Sequence, residues 1–316
     1  MSAIFILLYL YRMKRIALYI VIALVAASCG GRAKESRRSA PKVYRFQYVT
    51  PPPHATQQQR LLYMEEHYWD KFDFCDTTFI SKVDTAEMMR AFAGYFLNFV
   101  RPDDARPMQR LIKRSAVSEP MFKYFVMLAE RLFHDPNSPY RNDEQYIPVL
   151  EAQIASPYYD EYERMVPQYD LHTALQNRIG HPANDFKYTV ASGRTSNLYS
   201  VRSPYTLIYI NNPGCPMCRE IQQAIEASPL LSRMIAGGEL CVLGIYPDKE
   251  LDEWRNHPLP ASWVNAYDKG CVIEQKRLYD LRAIPALYLL DSRKRVLVKD
   301  STSVAEIEAV INALSE

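Results

Sequence analysis

The sequence predicts an α+β chain with an α/β second half: an all-helical amino-terminal domain, then a domain whose central mixed sheet is flanked by helices. Three observations carry this. Up to about residue 169, apolar and aromatic side chains recur at helical spacing. From residue 186 onward, short apolar runs alternate with helical ones, the pattern of a mixed sheet with helices on it. At the first strand-to-helix turn of that second half stands Cys215-Pro216-Met217-Cys218. With 316 residues, 48% of them apolar, the chain is long enough for two domains with cores of their own.

The first residues are set apart from the fold. Met13-Lys14-Arg15 precedes an apolar run from Ile16 to Ala27, the charged and hydrophobic regions of an export signal. Ala26-Ala27-Ser28-Cys29 resembles a bacterial lipobox, which makes Cys29 the expected lipidation site. The competing reading is an uncleaved anchor reaching back to Ile4, but Arg12, Lys14 and Arg15 would be costly inside a bilayer. Both readings place the folded part outside the cytoplasm, where disulfides persist. The expected organisation is a signal peptide over 1–29, a small, polar and basic tether over 30–41, a helical domain over 42–170 and the sheet domain over 171–316. A net charge of +2 with scattered basic residues excludes nucleic acid as an expected partner.

Val43 to Thr50 reads as a short strand ended by Pro51-Pro52-Pro53. Helices follow near Gln57–Asp73, Arg106–Arg114 and Asp143–Ile154. The clearest starts at Asp84-Thr85-Ala86-Glu87, a capping-box pattern, and presents Met88, Ala91, Phe92, Tyr95, Phe96 and Phe99 on one face. Another runs from Ser118 to about Phe133 with Met121, Phe125, Leu128 and Leu132 in register. These stripes are read as core rather than as a ligand pocket. Residues 162–181 form the junction.

In the second half, Phe186–Ala191 and Thr195–Tyr199 read as a hairpin around Ser192-Gly193-Arg194. Tyr205–Ile210 is a strand and the residues after Cys215 a helix. A strand over Glu239–Tyr246 and one or two helices between Lys249 and Leu281 follow. Ala286–Leu290 and Arg295–Lys299 make a second hairpin, and Ser303 with Glu306 caps a last helix.

Two thiols separated by two residues close a disulfide readily where a helix begins. There the unpaired N–H groups and the helix dipole favour a thiolate, so Cys215 is the expected nucleophile and Cys218, one turn on and deeper, the resolving thiol. Pro216 suits the first helical position, which needs no N–H. A lone CxxC is also half of a zinc site. The exported compartment weighs against zinc, and so does the absence of any histidine at ligand spacing from a cysteine.

The order of elements resembles the thioredoxin fold, and its TlpA-type thiol-disulfide oxidoreductase branch in particular. The residues that carry the resemblance are Gly180-His181-Pro182-Ala183-Asn184-Asp185-Phe186, Tyr209-Ile210-Asn211-Asn212-Pro213-Gly214-Cys215-Pro216-Met217-Cys218, and Leu278-Tyr279-Asp280-Leu281-Arg282-Ala283-Ile284-Pro285-Ala286-Leu287-Tyr288-Leu289-Leu290-Asp291. It implies a cis proline at Pro285 facing the thiols, and a substrate surface made of Ile284, Pro285, Gly214, Pro216 and Met217. The Ile284 backbone would take an extended client by strand addition. It implies no cofactor beyond a redox-active Cys215–Cys218 disulfide and no metal. The expected partners are client proteins with disulfides or thiols, a membrane thiol electron donor, and the membrane itself through a lipid anchor. The expected place is the cell envelope of a Gram-negative bacterium, facing the periplasm.

There are departures from that pattern. The tryptophan often found before the CxxC is Gly214, and the buried aspartate of some thioredoxins falls at Tyr209, so the proton acceptor for Cys218 is unassigned; Glu220 and Glu274 are the nearby candidates in sequence. The long interval from Cys218 to Pro285 calls for an inserted strand and helix around Trp254–Ile273. Cys75 reads as half-buried, Cys241 as a strand thiol, and a Cys241–Cys271 bond stays open. The helical half, with Tyr68-Trp69-Asp70-Lys71-Phe72-Asp73-Phe74, resembles an uncharacterised domain found ahead of thioredoxin-like modules in bacterial lipoproteins, which implies no chemistry. The expected function is a membrane-tethered reductase of client disulfides. The competing one is a redox-inactive scaffold lipoprotein in which the same fold only binds. A peroxidase is disfavoured because Asn211-Asn212-Pro213-Gly214 offers no threonine ahead of the cysteine.

Overall fold

The computed structural model describes residues 44–315. The export-signal, Cys29 and tether assignments lie outside them. Among the described residues the first half is helical: α1 (Gln57–His67), α2 (Thr77–Lys82), α3 (Thr85–Phe99), α4 (Arg106–Ser115), α5 (Glu119–Phe133), α6 (Asp143–Ala155) and α7 (Met165–Ala174). The expected strand over residues 44–50 is absent, and the segment is irregular. Among the described residues the helical half holds no strand for it to pair with. Instead the Phe46 N–H donates to the Glu87 carboxylate (2.8 Å), and the Phe46 ring packs against Tyr68 and Trp69. Glu87 is therefore spent on Phe46, and Asp84 alone caps α3 through the Ala86 N–H. The helix begun at Gln57 ends at His67, before Asp73, because Tyr68 and Trp69 turn into the core, where both are buried and Trp69 meets Phe125 edge-on at 5.4 Å. On α3 the buried residues Met88, Ala91, Phe92, Tyr95 and Phe96 are five of the six the spacing picks out, and Phe99 is half-buried.

The second half is a sheet of seven strands in the order β2-β1-β5-β4-β3-β6-β7, with β1 at Lys187–Val190, β2 at Thr195–Asn197, β3 at Tyr205–Ile210, β4 at Leu240–Tyr246, β5 at Val264–Tyr267, β6 at Ala286–Leu290 and β7 at Val296–Ser301. β3 runs parallel to β4, and β4 to β5; the β1, β6 and β7 pairings are antiparallel. The β1–β2 hairpin turns at Gly193, whose φ of 81° a side chain would oppose. Helices α8 (Pro216–Ala227), α9 (Pro229–Ala236), α10 (Leu251–Asn256), α11 (Val272–Gln275) and α12 (Val304–Ser315) complete this half. The long interval after Cys218 holds α9, β4, α10, β5 and α11, so a strand and short helices occupy the expected insertion.

Strand alternation sends Ile208 and Ile210 to one face with Phe186, Tyr188 and Tyr288, and Leu207 and Tyr209 to the other with Ile221, Ile225, Ile307 and Ile311 of α8 and α12. The β3 side chains from Thr206 to Ile210 are all buried, which is why that stretch reads as continuously apolar. Charged groups join the two halves. Arg141 contacts both Asp280 (2.8 Å) and Asp300, Lys299 meets Asp143 at 2.5 Å and the Ala174 carbonyl at 2.7 Å, and Arg178 meets Glu144 at 2.5 Å. No helix among the described residues is long and apolar enough to cross a membrane.

Candidate active site

The carboxyl end of β3 delivers the chain to the dithiol. Asn211, buried, is held by its amide donating to the Tyr209 (3.1 Å) and Ile245 (3.4 Å) carbonyls. Asn212 then turns the loop, its side-chain oxygen accepting the Gly214 N–H at 3.0 Å. Cys215 follows as the N-cap of α8, where a side chain is expected to satisfy one of the open N–H groups. Its sulfur does so, accepting the Cys218 N–H at 3.4 Å. Pro216 occupies the first helical position, and Met217 projects outward with half of its surface exposed.

The two thiols differ in surroundings. Cys215 is half-exposed, whereas Cys218 is buried against Tyr209, Ile221 and their neighbours. Burial pushes the Cys218 thiol up to about 12; the Asn212 N–H pointing at its sulfur (3.3 Å) opposes this only in part, and the adjacent Cys215 adds to it. Cys218 therefore holds its proton at neutral pH. Across from the pair, the Ile284–Pro285 bond is cis, Pro285 is buried, and the Cys215 thiol faces the Ile284 carbonyl at 3.8 Å. Ile284 is half-buried and packs into the apolar clusters on both faces of the sheet.

Of the residues singled out from the sequence, Gly214, Cys215, Pro216, Met217 and Cys218 thus lie in one turn, and Ile284 faces Cys215. Glu220 and Glu274 are both exposed on their helices and have no contact with the Cys218 sulfur. Glu220 faces solvent from the dithiol's own helix α8, and Glu274 lies on α11 in the insertion. The place of a buried acid is taken by Tyr209, whose hydroxyl donates to the Cys218 carbonyl at 2.5 Å and whose ring meets Trp263 edge-on. Asn212 and Trp263 were not legible as site residues, since one acts through its backbone and the other arrives from the insertion. Cys75 is exposed, not half-buried, at a turn where its N–H binds Asp73; Cys241 and Cys271 are separate thiols. Among the described residues no group of three or more His, Cys, Asp or Glu is placed to hold a metal.

A dithiol at a helix start, beside a cis proline on a mixed sheet, defines a thioredoxin-fold module. The comparisons agree. A crystal structure of a thioredoxin-like protein from Bacteroides caccae is 41% identical, covers 86% of this chain and 99% of its own, and superposes with a TM-score of 0.79. The chain belongs to the thioredoxin-like family. The carboxy-terminal domain of an uncharacterised protein from Bacteroides fragilis is 48% identical over 44% of this chain and 99% of its own, with a TM-score of 0.42. A conserved protein of unknown function from Bacteroides fragilis is 34% identical over 42% of this chain and 98% of its own, with a TM-score of 0.41. Residues 28–177 match a domain of unknown function, DUF5106, which overlaps α1–α7. No curated protein is similar to the chain.

Proposed function

We propose that this protein is a thiol-disulfide oxidoreductase that reduces disulfides in client proteins. The observation that carries this reading is the half-exposed Cys215 sulfur at the start of α8, with the buried Cys218 behind it and the Ile284 carbonyl in front. The Cys215 thiolate attacks one sulfur of a client disulfide, the client S–S bond breaks, and the departing client thiolate takes up a proton. Cys218 then gives up its proton as it attacks the Cys215 sulfur, and the second client sulfur leaves as a thiol. The client gains two electrons and two protons, and the protein is left with a Cys215–Cys218 disulfide. Because no carboxylate touches the Cys218 sulfur among the described residues, the proton passes to the leaving client sulfur or to solvent.

Ile284 and Pro285, with Gly214, Pro216 and Met217, form the surface on which an extended client lies, the Ile284 backbone supplying strand-like hydrogen bonds. The exposure of Met217 supports a role in client contact. The cycle needs a reductant to reopen the disulfide, which we assign to a membrane thiol donor. Lipidation at Cys29 would tether the protein at the cell envelope, facing the periplasm, and the couple requires no cofactor. Reduction of insulin disulfides in the presence of dithiothreitol tests the reading: the protein accelerates precipitation of the insulin B chain and the Cys215→Ser variant does not. Equal rates for the two would reject it.

A further inference from the structure

Residues 276–285, which lead into the cis proline, belong to no helix or strand. Such a segment holds one position only where its groups are tied down. Its first part is tied to the sheet half: the Leu278 carbonyl accepts from Asn177 (2.7 Å) and Asn184 (3.0 Å), and the Tyr279 hydroxyl donates to the Asn184 carbonyl at 2.8 Å. Its second part is tied to the helical half. Asp280 receives Arg141, from the residues just before α6, at 2.8 Å. Arg282 folds back on Asp280 through Nε (3.0 Å) and a terminal nitrogen (2.8 Å), and its other terminal nitrogen donates to Asp170 of α7 at 2.6 Å. Asp170 is itself only 10% exposed, and Nε2 of His134 at the end of α5, whose ring stacks on Tyr146 at 4.4 Å, lies 3.1 Å from that same Arg282 nitrogen and 3.2 Å from Asp170. Only Ala283 separates Arg282 from Ile284. Arg282 is thus the last side-chain tether before the carbonyl that faces Cys215.

We propose that the helical domain is a positioning element for the redox site, holding the client-binding Ile284 backbone in place through the Arg282–Asp170–His134 clamp. A planar guanidinium gripped by carboxylates on two sides fixes orientation as well as distance. Asp170 and His134 touch neither thiol nor client, so their effect passes through Arg282. The proposal rests on the reading of Ile284 as a client-binding residue.

The test uses the full chain with Asp170→Asn, which keeps the shape and removes the charge, and Asp170→Glu as the conservative variant. Amide hydrogen exchange at Arg282, whose N–H donates to Asp280 at 3.0 Å, should speed up by roughly 10-fold in Asp170→Asn while the β3 and β4 amides stay protected. For insulin reduction, KM should rise roughly 3- to 10-fold with kcat little changed, and Asp170→Glu should recover most of the loss. Wild-type exchange at the Arg282 amide together with wild-type KM would overturn the proposal, even if the unfolding midpoint fell. Should Asp170→Asn fail to fold, His134→Gln weakens the same clamp and is read in the same way. A wild-type protein inert toward insulin would reject the reductase reading alone, and the exchange rates would still decide the clamp.

Discussion

At the residue scale, two cysteines one helical turn apart have opposite environments. Cys215 caps α8 at the surface, while Cys218 is 3% exposed and its thiol is pushed up to about 12, chiefly by burial. A thiol whose folded value lies above its unfolded one, near 8.5, contributes stability that is full below that unfolded value and is lost as pH rises toward the folded one. The reduced protein should therefore lose stability between about pH 8.5 and about 12, with a slope approaching ~1.4 kcal/mol per pH unit from this group. Urea denaturation of the reduced protein against Cys218→Ala at pH 8 and pH 10 measures it; parallel losses in the two would show that Cys218 is not the cause. The place of both thiols at a strand-to-helix turn was legible in the sequence, because Cys-Pro-Met-Cys after an apolar strand leaves few other geometries. The burial difference was legible only in part, since it depends on Tyr209, Trp263 and Ile307 arriving from three different elements.

At the element scale, the join of β3 to α8 is the unit that makes the site. Its rigidity comes from Asn211, which clamps the strand end, and from Tyr209, whose hydroxyl reaches the Cys218 carbonyl. Tyr209→Phe should cost about 1 kcal/mol of stability, the usual net value of such a bond, and leave the helix formed. Chemical denaturation checks this, and an unchanged midpoint would mean that the hydroxyl contributes nothing to the join. Elements with strong periodicity were readable: α3, α5, β3, β4 and both hairpins lie within a residue or two of their expected limits. The expected strand at 43–50 failed for a physical reason, since alternating residues mark a strand only when a partner edge exists, and Phe46 instead docks among the aromatic rings of the helical half. The early end of α1 at His67 was hidden likewise, because Tyr68 and Trp69 leave the helix to bury their rings.

At the scale of the whole molecule, the helical half and the sheet half are joined by buried charge. Asp280 has burial against it, yet the hydrogen bonds and charge of Arg282, with Arg141 nearby, hold its carboxyl below the usual range. Asp300, with Arg141 and Lys299 as its cations, is pushed by burial up to about 7. Asp280 keeps Arg282 in Arg141→Ala, but the buried Asp300 loses its ion-pair partner, so the substitution should destabilise the protein by about 3–5 kcal/mol. Guanidinium unfolding tests this, and a loss under about 1 kcal/mol would place the stability of the junction in apolar contacts instead. None of this network was legible beforehand, because Arg141, Asp170, Asp280 and Asp300 are far apart in the chain and each resembles an ordinary surface charge until the fold brings them together. The order of strands and helices, by contrast, followed from the alternation of apolar runs. The central claim is that Cys215 attacks and Cys218 resolves, and it is tested most directly by trapping. Cys218→Ser is incubated with a disulfide-bonded peptide and the adduct is located by mass spectrometry. A stable mixed disulfide on Cys215, absent from the wild-type protein and from Cys215→Ser, is the predicted result; no adduct, or one confined to Cys75, Cys241 or Cys271, would contradict it.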